Sequence, residues 1–269
     1  MKLNVAIPSY KRSKTIRDKT LSILQEHEVD PSAVTIFVAN NEELELYRDS
    51  LKGNPYENNI VVGVPGMKNI RNFIREYYDE GEFIVNFDDD LDTIMRKSPT
   101  NGKIKEPIED IHKELFEPMF EQMTTNDNKL CGVYAAANAF FMSYEPKVGL
   151  YYCIGSCWSN INDKHPDRMV EIDDKEDYQR TIQHYVLDGS VSRLDNITVI
   201  SKYYTEDGGM QVERTDETIE AGADFLVNKY PDLCTKYFRK TTGHAEIRLK
   251  DKSGGKYEKD AQNLESFFS

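Results

Sequence analysis

Phe83-Ile84-Val85-Asn86-Phe87-Asp88-Asp89-Asp90-Leu91-Asp92 is the stretch on which the reading of this chain turns. Its first half is a near-continuous apolar run, as expected of a strand buried on both faces of a parallel sheet. Its second half crowds carboxylates at the strand's end, where solvent screening is reduced and like charge is costly without a counter-cation. Mg²⁺ or Mn²⁺ takes oxygen ligands and commonly bridges one or two protein carboxylates to substrate phosphates. Alternate residues of an extended segment point the same way, so the pattern predicts Asp88 and Asp90 on one ion. Asp89 would then face the other side, toward a ribose, a sugar hydroxyl or a structural donor. The competing reading of the same residues is a solvated acidic turn. A calcium loop is excluded by Thr93, where Gly is required, and by Pro99, where the bidentate Glu belongs.

Upstream of this stretch, strands and helices alternate. Leu3–Ile7 reads as a strand stopped by Pro8. Ser13 then caps a helix with an apolar stripe at Ile16, Thr20, Ile23 and Leu24. Val34–Ala39 reads as a buried strand, a polar helix covers about 42–51, and Ile60–Gly63 is a third strand. Met67, Ile70, Ile74, Tyr77 and Tyr78 mark the helix before the fourth strand. Such alternation implies βαβ units in a mostly parallel sheet, whose ligands bind outside the carboxyl ends of the strands. Pro8, Ser9, Tyr10 and Arg12, then Asn40, then the aspartates all follow strand ends and should converge on one edge. The fold class is therefore α/β, a Rossmann-type sheet flanked by helices.

The second half is more mixed. A helix with apolar positions from Ile108 to Met123 is kinked or interrupted near Pro118. Strands are predicted at Gly132–Ala137, Val148–Cys153, Val191–Tyr204 and His244–Leu249. Helices are predicted at about 174–187, stopped by Gly189, and at about 216–230. With no repeat and no low-complexity linker, one domain over 1–250 is expected, in two halves at about 1–95 and about 96–250, followed by a polar tail at 251–269.

The 269 residues include 39% hydrophobic and 11% aromatic side chains, enough for a core, which excludes a disordered chain. The net charge of −13 argues against broad, nonspecific nucleic-acid binding. An enzyme this acidic that grips an anionic donor needs a metal to mask carboxylate repulsion. Four cysteines, without the second pair that a zinc site requires, read as reduced thiols. No apolar run reaches membrane-spanning length and no signal-peptide pattern opens the sequence, so no membrane partner and a cytoplasmic home are expected.

Several side chains carry two readings each. Tyr10 can stack on a base and Arg12 can meet phosphates, or both can sit in a plain loop. Arg71 and Asn72 can reach a ligand or pair on their helix surface. Glu176 and Asp177 can be N-terminal acids facing a helix dipole, or one of them can take a proton from an acceptor hydroxyl. Lys236, Arg239 and Lys240 can meet phosphates or be scattered surface cations. Trp158, near Tyr151 and Tyr152, can wall an acceptor site or pack in the core. His244 alone is usually a surface residue.

As an ordered set, Ile7-Pro8-Ser9-Tyr10-Lys11-Arg12, Arg71-Asn72, Phe87-Asp88-Asp89-Asp90-Leu91, Glu176-Asp177-Tyr178 and Tyr230-Pro231-Asp232 leading to His244 resemble GT-A glycosyltransferases over roughly residues 3–250. Within these the chain looks most like the TET-associated group found with phage and eukaryotic DNA-modification systems. The resemblance implies a nucleotide-diphosphate sugar donor, UDP-sugar first, and Mn²⁺ or Mg²⁺ on the Asp-x-Asp. It implies Asp177 as the base if the transfer inverts, with Glu176 holding sugar or acceptor hydroxyls, and His244 as a late metal ligand. It further implies a hydroxymethylated pyrimidine of DNA as acceptor, from which the acidic net charge is a departure. A transferase acting on a glycan or small molecule and a silent nucleotide-sugar-binding module are the other readings. The retained Asp88, Asp90, Glu176 and Asp177 favour an enzyme.

Overall fold

β1 (Leu3–Pro8) lies at the centre of a parallel group, paired on one side with β2 (Val34–Val38) and on the other with β4 (Phe83–Phe87). The computed structural model describes residues 2–201 and 214–250. The period of two along these strands sorts side chains onto two helical layers. Val5, Ile7, Ile36, Val85 and Phe87 enter one core cluster, while Ala6, Phe37 and Ile84 enter another with Ile70 and Ile74. Both faces are therefore covered, which is why the strands read as continuous apolar runs rather than alternating ones.

The helix predicted from Ser13 is two short ones, α1 (Ser13–Asp18) and α2 (Thr20–Glu26), broken at Lys19 with φ −118° and ψ −96°. The break turns Thr20 toward the aspartate turn: its hydroxyl donates to Asp88 O at 2.7 Å and accepts from Leu91 N at 3.1 Å. α3 (Asn41–Ser50) is capped by Asn40, whose side chain accepts from Glu43 N at 2.9 Å. β3 (Ile60–Val62) and α4 (Met67–Tyr77) complete the alternating half as expected.

Past β4 the sequence expectations miss several short strands. β5 (Leu91–Lys97) and β6 (Lys105–Pro107) leave the main sheet and form a second, three-stranded one with β11 (Ile197–Ser201). Pro118 does not kink a long helix. It sits in the first turn of α5 (Glu117–Asn126), after a π-helical turn over His112–Phe116, where its missing N–H is no loss. β7 (Leu130–Val133), β8 (Lys147–Gly149) and β9 (Cys157–Ile161) follow, then α6 (Glu176–Asp188) and β10 (Val191–Leu194). The eight-stranded sheet has the order β3-β2-β1-β4-β9-β7-β10-β8. β9 runs antiparallel to both β4 and β7, so the sheet is mixed. α6 ends at Gly189, at φ 82°, the left-handed stop read from Asp188-Gly189.

α7 (Asp216–Lys229) packs with α6 and the hairpin of β12 (Cys234–Phe238) and β13 (Ala245–Leu249) around Ile182, Tyr185, Ala223, Leu226 and Tyr230. Residues 202–204 of the predicted 191–204 strand region and the tail from 251 lie outside the described residues. All four cysteines are buried, free thiols. Among the described residues no helix is long and apolar enough to cross a membrane.

Gly222 marks the closest approach of α7 to the segment before α6, because a Cβ there would lie 2.5 Å from the backbone oxygen of Asp174. Gly222→Ala gains roughly 1 kcal/mol of helix propensity but must displace backbone, an overpacking cost of about 1–3 kcal/mol. A net loss of about 1 kcal/mol is expected in urea denaturation. A variant more stable than the parent would show that α7 yields freely.

Candidate active site

β1, β2 and β4 are parallel, so Ser9, Asn40 and Asp88 emerge at the same edge of the sheet. The expected alternation of the aspartates does not hold. Strand β4 stops at Phe87 and a turn occupies residues 89 and 90, which removes the extended geometry the alternation requires. Asp89 and Asp90 instead share one guanidinium nitrogen, Arg12 Nη1, at 3.0 and 3.1 Å. Asp89 also accepts from Ser9 Oγ at 2.6 Å, and Ser9 in turn touches the Tyr47 hydroxyl at 2.5 Å. Asp90 accepts from Ser201 Oγ at 2.9 Å, at the end of β11.

Asp88 takes a different direction. Its backbone N–H donates to Ser156 O at 3.0 Å, prolonging the β4–β9 pairing. Its carboxylate accepts from Arg71 Nη2 at 3.1 Å, and the same nitrogen donates to Gly155 O at 3.2 Å. Arg71 Nε reaches Glu176 Oε1 at 3.3 Å, and Arg180 Nη1 reaches Glu176 Oε2 at 2.6 Å. One buried arginine therefore joins the aspartate turn to the start of α6. Glu176 is held between two guanidinium groups, a placement for a positioning residue rather than a mobile proton acceptor.

Asp177 is more open. Tyr152 donates its phenol to Oδ2 at 2.5 Å and the Tyr178 N–H donates to Oδ1 at 2.9 Å. Tyr152 stacks on Tyr178 with ring centroids 4.1 Å apart. Gly155 lies against both acids: a Cβ there would sit 3.5 Å from Asp177 Oδ2 and 3.7 Å from Glu176 Oε1. The aspartate turn and the Glu176-Asp177 pair thus share one wall.

Burial dominates the electrostatics of the aspartate turn. Burial pushes the Asp88 carboxyl up to about 7, with Arg71 pulling it down and Asp90, Asp89 and Glu176 pushing it further up. Burial pushes Asp89 up to about 6, opposed by Arg12. The Asp88 side chain is the most open of the three, at 33% against 7% for Asp89 and 13% for Asp90. Asp88 presents the more open oxygens, and Asp90 keeps spare lone pairs beside Arg12 and Ser201.

The remaining sequence candidates lie as follows. Pro8 ends β1 and Tyr10 is half-buried at the same edge, with Lys11 Nζ 4.8 Å from its ring centroid. Asn72 is engaged at both ends by Val170, donating to its carbonyl at 2.9 Å and accepting from its N–H at 3.0 Å. Trp158 is no acceptor wall. It is a core residue 6% exposed, with the Arg180 guanidinium 3.8 Å and that of Arg71 5.7 Å from its ring centroid. Lys236 pairs with Glu220 and Asp224 at 3.0 and 2.5 Å, and Arg239 with Glu246 at 3.1 Å. Lys240 is exposed. His244 pairs with Asp216 at 2.8 Å. Among the described residues no three His, Cys, Asp or Glu side chains form a metal-binding group, so His244 does not join Asp88 and Asp90 here. Sequence reading missed Ser201, Thr20, Tyr47 and Arg180, each brought in by tertiary contact without a local motif.

No protein-family model and no curated protein matches this chain. Solved structures share its fold. S. aureus TarS 1–349 in complex with UDP-GlcNAc matches with a TM-score of 0.54 and 16% identity, over 85% of this chain and 67% of that one. A longer S. aureus TarS structure matches with a TM-score of 0.50 and 16% identity, over 85% of this chain and 40% of that one. A mannosyltransferase from Pyrobaculum calidifontis, in complex with GDP-Man and Mn²⁺, gives a TM-score of 0.45 at 11% identity, over 72% of this chain and 54% of that one, a similarity too distant to carry weight. The fold is thus an α/β arrangement, a large mixed sheet flanked by helices, similar to glycosyltransferase structures.

Proposed function

We propose that this chain is a divalent-cation-dependent glycosyltransferase moving a sugar from a nucleoside-diphosphate donor, UDP-sugar first, to a hydroxyl. The observation that carries the reading is Arg71, which ties Asp88 to Glu176 and so holds an acidic turn beside the Glu176-Asp177 pair. The shared fold with a chain that binds UDP-GlcNAc supports it. Residues 1–95 would serve the donor and 96–250 the acceptor, within one domain.

Asp88 and Asp90 would hold Mn²⁺ or Mg²⁺, which when bound supplies positive charge to the departing diphosphate. Tyr10 is placed for base stacking, while Ser9 and Arg12 act by orienting Asp89 and Asp90. Asp177 takes the proton of the acceptor hydroxyl as its oxygen bonds to the anomeric carbon and the bond to the diphosphate breaks. Its two hydrogen bonds, from Tyr152 and the Tyr178 N–H, fix its direction. Asp177→Asn is expected to lower turnover by about a hundredfold while leaving nucleotide binding unchanged. Undiminished turnover would remove Asp177 as the base.

The acceptor implied by the TET-associated resemblance is a hydroxymethylated pyrimidine of DNA. Base access then needs phosphate contacts, of which Lys236, Arg239 and Lys240 are the candidates. The pairing of Lys236 and Arg239 with acids leaves little charge for phosphates and favours the second reading, a glycan or small-molecule acceptor. Radiolabelled nucleotide sugars, incubated with hydroxymethylated DNA, unmodified DNA and a glycan pool, separate the two. Label in hydroxymethylated DNA alone supports the first, and label only in glycan or small molecules supports the second. Absence of both transfer and nucleotide-sugar binding overturns the enzyme reading.

A further inference from the structure

α6 opens on a residue whose backbone does not suit its side chain. Lys175, immediately before Glu176, stands at φ 68° and ψ 22°, in the left-handed region. An N-cap residue ordinarily has β-region backbone, and a side chain with a Cβ enters the left-handed region at a cost. The lysine is also buried: its side chain is 7% exposed, and its Nζ lies 2.7 Å from Glu246 Oε2 on β13. A lysine enclosed this deeply needs such a partner. Its carbonyl accepts from Gln179 N at 3.1 Å, so the first turn of α6 is built directly on this residue. The two residues before it are fixed as well, each by a different helix. Asp173 accepts from Lys68 N in the first turn of α4 at 2.9 Å, and Asp174 from Thr218 Oγ1 in the first turn of α7 at 2.6 Å. The segment 173–175 is thereby anchored to α4, α7 and β13 in succession.

We infer that Lys175 and Glu246 are positioning residues for sugar transfer: their ion pair holds the left-handed turn that sets Glu176 and Asp177 on the wall of the site. The inference rests on the reading of Asp177 as the base. Asp177 lies two residues past the turn, so a backbone rotation at 175 swings the first turn of α6 and both acids with it. Glu246 reaches the same place from a second side. Burial, then the charges of Asp177 and Glu246, push the Tyr178 phenol up, with Tyr237 adding to the rise and Arg239 opposing it. Tyr178 is the ring on which Tyr152 stacks, and Tyr152 is the donor to Asp177. The hairpin of β12 and β13 therefore borders the base twice, through Lys175 and through the tyrosine stack. Glu246 is shared, since its Oε1 also pairs with Arg239 Nη2 at 3.1 Å. A glycine at 175 would take the left-handed turn freely, whereas the lysine adds an anchor that glycine lacks.

The test follows radiolabelled UDP-GlcNAc and UDP-glucose into glycan, DNA and water, for the full-chain parent and its variants. Glu246→Gln is expected to lower kcat about tenfold with the donor KM unchanged. Lys175→Gly keeps the backbone of the turn and removes the cation, and should lose as much, while the double variant should lose no more. A loss that persists when Glu246→Gln is made on Lys175→Gly assigns the effect to Arg239 and overturns the proposed pairing. Full turnover of Lys175→Gly overturns it too, leaving only a backbone requirement. Hydrogen exchange supplies a readout that needs no substrate. In Glu246→Gln the amides of Tyr178 and Gln179 are expected to exchange about tenfold faster, and those at 185–188 at the parent's rate. Unchanged exchange, or a uniform rise along α6, overturns the inference. A parent that transfers nothing overturns the glycosyltransferase reading and this role with it, whereas an active parent with an unimpaired Glu246→Gln overturns this inference alone.

Discussion

Replacing Asp88 with Asn is expected to reduce sugar transfer by about a thousandfold or more without weakening the fold. Asp88 is the most open carboxylate of the turn, yet burial pushes it up to about 7, so its charged form is held against a desolvation cost. Asn keeps the shape and can still accept from Arg71 Nη2, while removing the charge on which a cation depends. The sign of the stability change follows from the direction of the shift. A carboxyl raised on folding favours the neutral form, so a neutral isostere should leave the unfolding midpoint unchanged or slightly higher. The second readout is Mn²⁺ binding by calorimetry, expected for the parent and lost in Asp88→Asn and Asp90→Asn. Full activity of either variant, or of the parent in excess chelator, would sink the metal assignment.

Arg71→Leu is expected to cost about 3–5 kcal/mol of stability, because it strands buried carboxylates that now share one guanidinium. The contacts are Asp88 at 3.1 Å, Glu176 at 3.3 Å and the Gly155 carbonyl at 3.2 Å. Glu176 keeps Arg180, so Asp88 loses most, and activity should fall with the geometry of the wall. Arg71→Lys retains the charge but lacks the fork that spans three acceptors, and should fall between parent and Leu. Urea denaturation of both variants, with Arg71→Leu/Glu176→Leu as the coupled control, measures the effect. A loss under about 1 kcal/mol would mean that the pair is no stronger than an exposed salt bridge.

The alternating half was legible because two-sided burial leaves apolar runs such as Phe83–Phe87, and such strands carry acids or turns at their carboxyl ends. The same logic overreached at Asp88–Asp90, where a turn begins one residue too early for side chains to alternate. β9 was missed because Cys157–Ile161 mixes polar and apolar residues, and its partners in the sheet are remote in sequence. Trp158 read as core ahead of wall, though nothing local announces the guanidinium groups against its ring. The break at Lys19 carries neither glycine nor proline. It accompanies the Thr20 hydroxyl meeting the aspartate turn, a contact across 68 residues.

Such distances have a consequence for biosynthesis. The aspartate turn is completed by Ser9, 80 positions before Asp89, and by Ser201, 111 positions after Asp90. A nascent chain that has emerged only as far as β8 lacks β9, α6 and β11, so Asp88 and Asp90 await partners that are still unmade. Closing loops of that length is slow compared with forming helices. The wall shared by the aspartate turn and the Glu176-Asp177 pair should therefore be among the last features to mature, and translation arrested before residue 201 should yield a sheet whose aspartate turn is incomplete.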